Sequence, residues 1–134
     1  MRTSLCAVLF LLSLHGAVPP AQRFGGIWVA TFKGVDICTL EIKDDGEKIE
    51  GASKDCKVSV DQNGDLIEGE KPDGSGEPEP FLSPKVDGTV LRYQQDEDGT
   101  PMKFELHLMG EGKADLHFIG APITIKPIKF ERRP

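Results

Sequence analysis

Two histidines and a scatter of carboxylates are the groups in this chain best suited to chemistry. His107 and His117 flank Gly110-Glu111-Gly112. If those three residues form a hairpin loop, His107 stands opposite Asp115 and Glu105 opposite His117, so two imidazoles and two carboxylates share one patch. Such a set suits zinc binding or proton relay. The surrounding pattern argues otherwise. Met102, Phe104, Leu106 and Leu108 alternate with Lys103, Glu105, His107 and Met109, and Ala114, Leu116 and Phe118 alternate with Asp115, His117 and Ile119. All four candidate groups therefore fall on the wet face, where charge-complementary pairs pin strand register. A surface ladder is expected there, and no metal. Asp61-Gln62-Asn63-Gly64-Asp65-Leu66-Ile67-Glu68 places oxygens at alternate positions, but Leu66 stands where a calcium loop of the EF-hand kind needs glycine, so an acidic hairpin turn is expected. There is no Gly-x-Ser-x-Gly. With both histidines pointing outward, no inward Ser or Thr has a base beside it. Binding is predicted rather than catalysis, with no cofactor.

The elements that would carry these groups are strands. Asp45-Gly46, Asn63-Gly64, Asp73-Gly74, Asp87-Gly88 and Asp98-Gly99 punctuate the chain, and such dipeptides tolerate the positive φ of tight hairpin turns. Between them the period is two, one face dry and one wet. Strands are predicted near 26–33, 36–43, 47–54, 56–60, 65–69, 81–86, 89–95, 101–109, 113–119 and 123–131, some of which merge or fail to leave about eight. A two-residue loop at Asp87-Gly88 would set Val86 against Thr89, Pro84 against Leu91 and Leu82 against Tyr93. Residues 70–80, with three prolines and four acidic side chains, are predicted to form no ladder and to act as a loop or lid. The expected fold is all-β, an antiparallel up-and-down barrel of about eight strands, which leaves no sheet edge. A two-sheet sandwich is the competing arrangement.

The dry face is rich in Phe, Leu and Ile. In a barrel of eight strands the interior is either filled by side chains or just holds one small ligand, and the sequence leaves both open. Gly51, Ser53 and Thr89 leave room on one side. Tyr93, Phe104, Phe118, Leu91 and Phe32 are the candidate lining of an interior site for a small apolar molecule.

The N-terminus sets the compartment. Met1-Arg2, an apolar run from Leu5 to Leu14, and the small-residue tail to Ala21 have the form of a secretory signal. As a helix that run would rise only about 15 Å, half a bilayer core, so no membrane insertion is expected. The prediction is a signal over 1–21 and one domain over 22–134, secreted or periplasmic. Loss of Arg2 with the signal would take the formal net charge from −6 to −7. An acidic domain without a basic stripe argues against nucleic acid. Cys6 would leave with the signal, and Cys38 and Cys56, 18 positions apart, would pair in an oxidising compartment or remain as two buried thiols.

Gly26-Ile27-Trp28 opens the first predicted strand, and parity along Ile128, Phe130 and Arg132 brings a basic residue to the end of the last. In these residues the chain resembles the lipocalin-like (calycin, avidin-like) secreted barrels, which stack a basic side chain over the indole of a Gly-x-Trp. The resemblance implies structural roles for Gly26, Trp28 and Arg132 at a closed barrel end, and carriage of a small apolar ligand. The chain is also similar, more weakly, to small bacterial metalloprotease-inhibitor barrels with one disulfide. That likeness implies an exported inhibitor, with Gln22-Arg23-Phe24 entering a protease cleft; a separate reading is an envelope interaction module whose outer face docks on a protein partner that is not identified.

Overall fold

The computed structural model describes residues 24–134 except 57, 70–73 and 75. The expected signal, Gln22 and Arg23 lie outside the described residues. Eleven strands follow one another: β1 (Gly26–Phe32), β2 (Val35–Asp44), β3 (Ile49–Lys54), β4 (Val58–Val60), β5 (Leu66–Gly69), β6 (Glu79–Pro80), β7 (Leu82–Asp87), β8 (Val90–Glu97), β9 (Thr100–Gly110), β10 (Lys113–Ile119) and β11 (Ile128–Arg133). Nine form a single antiparallel sheet in the order β6-β3-β2-β1-β11-β10-β9-β8-β7, and β4 and β5 pair separately as a hairpin. The result is the expected all-β, nearly closed up-and-down barrel. Only Phe81 separates β6 from β7, so the two are halves of one bent stave and the ring has eight staves.

Phe81 makes the seam. Its backbone N–H donates to the Gly51 carbonyl at 2.8 Å, and its ring stacks on Tyr93 of β8 with centroids 3.7 Å apart. Gly51 is required here: a Cβ would lie 2.6 Å from the Phe81 ring. The space expected beside Gly51 is therefore filled by Phe81. The expectation that 70–80 forms no ladder is corrected at its end, where Pro80 pairs with Ala52 and Glu79 with Ser53. Two pairs suffice at an edge, where the missing proline N–H leaves no interior ladder position empty.

The β7–β8 hairpin also departs from expectation. Its two-residue loop is Gly88-Thr89, glycine first, so Val86 pairs with Leu91 and Asp87 with Val90. A register shift follows between Leu82 and Lys85, around Ser83 at φ 50° and the ring-locked Pro84. The bulge turns Leu82 outward, 44% exposed, and gives the inward place expected for it to Phe81. The last strand begins at Ile128 rather than 123, because Pro122 and Pro127 bracket a segment that cannot keep up a ladder. The β9–β10 register is as read, with Asp115 paired with His107 and His117 with Glu105, and Arg132 stands opposite Trp28 as expected; Trp28 pairs on its other side with Leu40.

Candidate functional site

The two barrel ends differ. At the floor Trp28 is fully buried, and its indole N–H donates to the Phe24 carbonyl at 2.9 Å. The Arg132 guanidinium lies 4.6 Å from the centre of the Trp28 ring. Gly26, at φ 129°, admits the Arg132 stem, whose carbons lie 3.4 Å from where a Cβ would stand. Phe24 is itself enclosed in this core. It is a floor residue, not part of a free N-terminal arm.

At the mouth the same staves part around a cavity of about 990 Å³. Tyr93, Phe104 and Phe118 border it, and Leu40, Leu116 and Ile128 continue its apolar surface. Each aromatic comes from a neighbouring stave at a paired position, Tyr93 opposite Phe104 and Phe104 opposite Phe118. Their rings therefore meet across the sheet: Tyr93 stacks on Phe104 at 5.2 Å, and Phe118 meets Phe104 edge-on at 5.1 Å. With Phe81 they form a wall of four rings. Leu91 and Phe32, expected beside them, are elsewhere. Leu91 is fully enclosed in the core, two residues nearer the floor along β8 than Tyr93, and Phe32 is half-buried at the end of β1, with the Lys33 ammonium 5.2 Å from its ring centre.

The polar groups of the cavity lie both at its rim and deeper in. Gln95 follows Tyr93 inward and is 5% exposed; its amide nitrogen donates to the Ser53 hydroxyl at 2.8 Å and to the Glu79 carbonyl at 3.0 Å. A carbonyl can only accept, so the amide orientation is fixed and Oε1 is left without a partner among the described residues. The Tyr93 hydroxyl likewise has none. Burial pushes the Tyr93 phenol well above its ordinary value, so it stays protonated. Neither oxygen is sealed in the core. Both belong to residues that line the cavity.

The β4–β5 hairpin covers part of the mouth. Cys56, leading into it, is bonded to Cys38 of β2. Gly69 passes directly over Ile37, which has no partner on β1 because the ladder slips one residue there. The tip rests on the 120–127 segment: Lys126 donates its backbone N–H to the Gly64 carbonyl at 2.9 Å and its ammonium to Asp65 at 2.7 Å. Asp61, read as the start of an acidic turn, accepts from the N–H groups of Asn63 and Asp65 at 2.8 and 3.0 Å. Its carboxylate is occupied in shaping that turn.

The histidine ladder stands on the outer face. His107 Nε2 lies 2.9 Å from Glu105 Oε1, Arg92 lies 3.1 Å from both Glu105 and Asp87, and the two imidazoles sit 4.2 Å apart. The His107 contact, ahead of the Arg92 hydrogen bond, holds the Glu105 carboxyl below its usual range.

Sequence reasoning found the aromatic wall and the hairpin strands, and overlooked Phe81, Gln95 and the position of that hairpin over the mouth. Gln95 was within reach: Leu91, Tyr93 and Gln95 share one parity, so an inward amide followed from the same alternation that placed Tyr93. No family model, curated protein or solved structure matches the chain, so the geometry alone carries the functional reading.

Proposed function

We propose that this is an exported binding protein of lipocalin-like form, which holds a small molecule with an apolar body in the barrel mouth and performs no covalent chemistry on it. One observation carries the reading: a cavity of about 990 Å³ bordered by the rings of Tyr93, Phe104 and Phe118, with two oxygens that have no partner among the described residues, the Tyr93 hydroxyl and Gln95 Oε1, on residues that line it. A largely apolar pocket with a few convergent polar groups is the usual form of a small-molecule site. A ligand that pairs with these oxygens gains directional contacts that fix its orientation. The apolar run from Leu5 to Leu14 supports export, and the Cys38–Cys56 disulfide agrees with an oxidising compartment.

Thermal-shift titration of the disulfide-intact protein with aromatic and terpenoid alcohols, amines and acids tests the reading. A ligand at 100 times its dissociation constant adds about 2.7 kcal/mol to stability. Trp28 lies in the floor, so its fluorescence is a poor reporter of mouth binding. Tyr93→Phe should weaken any ligand found without unfolding the protein. Absence of stabilisation across the panel, or ligands indifferent to Tyr93→Phe and Phe118→Ala, would overturn the assignment of the mouth.

A further inference from the structure

We infer that the mouth selects a cationic amphiphile, an aromatic or aliphatic body carrying a protonated amine, over the same body carrying a carboxylate. This rests on the mouth being a binding site and adds the sign of the headgroup. Three carboxylate side chains carry the sign, Asp55, Glu68 and Glu77, with Glu79 also on the cavity border, and among the described residues no Lys, Arg or His borders it. Asp55 and Glu79 are half-buried, whereas Glu68 and Glu77 stand at the exposed rim. Such a rim alone would be solvated surface. Beneath it, however, lie the two unpartnered oxygens, on residues 3% and 5% exposed. Gln95 Oε1 can only accept, and the hydroxyl of Tyr93 accepts as well as donates.

An ammonium brings three donors and no acceptor, so it satisfies both oxygens while the rim carboxylates lower its energy through space. A carboxylate brings acceptors only. It finds one donor in the Tyr93 hydroxyl, an opposing acceptor in Gln95, and the like charges of Asp55, Glu68 and Glu77 around it, so its lost hydration is not replaced. A neutral alcohol pairs with both oxygens and ignores the rim. The order amine, alcohol, carboxylate follows from these contacts.

The test is calorimetric titration of the disulfide-intact protein with 4-phenylbutylamine, 4-phenylbutanol and 4-phenylbutanoate at neutral pH and low salt. The amine should bind at least about tenfold more tightly than the carboxylate, roughly 1.4 kcal/mol, with the alcohol between them. The gap should narrow in about 1 M salt, where screening acts over roughly 3 Å. In Glu68→Gln/Glu77→Gln, a change confined to exposed residues, the ratio of amine to alcohol affinity should move toward one. Equal binding of the three probes, or tightest binding of the carboxylate, overturns the charge selection and leaves the mouth site standing. An unchanged ratio in the double variant overturns the role given to the rim. Binding by none of the three overturns the mouth site and this inference together.

Discussion

At the floor, Trp28, Phe24 and Phe130 leave almost no surface to solvent, and Arg132 caps the indole; at the mouth, Phe118 of β10 and Ile128 of β11 border the cavity. Composition does not make this difference, since both ends are rich in aromatic rings. What differs is how many directions supply partners. Trp28 is met by the chain preceding its own strand, through the Phe24 carbonyl, and by the last strand, through Arg132. The mouth rings are met along the sheet by one another, and on the inner side they border the cavity. A floor residue thus has close neighbours on every side, whereas a wall residue forgoes contacts on one side whether or not it is truncated.

Truncation at the two ends should expose that difference. Trp28→Ala should cost about 3–5 kcal/mol, because it opens a void inside a packed floor, whereas Phe118→Ala, which enlarges an existing void, should cost about 1–2 kcal/mol. Urea midpoints compare them directly, and similar losses would mean that the mouth is as tightly packed as the floor. Replacing both cysteines by serine should cost about 3 kcal/mol through the entropy of the freed loop. Because Cys38 and Cys56 both border the cavity, the same change should also weaken ligand binding. Unaltered affinity would detach the disulfide from the mouth. Arg132→Ala should cost about 1–2 kcal/mol through lost stacking and stem packing. Arg133→Ala, which removes an exposed pair with Asp36, should stay within about 0.5 kcal/mol. Equal effects would deny the floor its cap.

The smallest effect belongs to the outer face, which neither end uses. Glu105 has a folded pKa below its unfolded value, so its contribution to stability is fully present above the usual carboxylate range and is lost as pH falls through the folded value. Acid titration should therefore show a slight loss of stability below about pH 4.5 that Glu105→Gln removes. Because the group is only partly shielded, the loss should be small. A profile unchanged by Glu105→Gln would show that the ladder sets register without adding charge stabilisation.

The legible parts were those that obey a period. Alternation along β9 and β10 placed Phe104, Leu106, Leu116 and Phe118 inward and His107 and His117 outward, and the two-residue separation of Phe130 and Arg132 carried the cation to the indole. The illegible parts break the period. Ser83 takes a left-handed conformation without being glycine or asparagine, and that one residue exchanges the faces of Phe81 and Leu82. Glu79 and Pro80 pair because the bend at Phe81 carries them to β3, a tertiary event with no local signal. The cavity depends on the same bend, since Phe81 fills the side by Gly51 and leaves the other side open. A resemblance resting on Gly26, Trp28 and Arg132 reached the floor and could not reach the mouth, where the residues that matter are Gln95 and Ser53.

The seam also sets where the ring breathes. Of the junctions between staves, β3 with β6 is the shortest, two pairs, and one of the four residues is a proline that donates nothing. Amide protons report such differences, because exchange from a buried N–H requires the cheapest opening that exposes it. The Phe81 amide is buried yet bonded across this short junction, so its exchange is governed by parting of β3 from β6, while Leu91 and Leu106, paired within long ladders, wait for the whole sheet. Gln95 crosses the same line through Ser53 and the Glu79 carbonyl. A molecule that engaged Gln95 from the cavity would therefore slow the Phe81 amide first, and the exchange clock of a single backbone proton would record occupancy of the mouth.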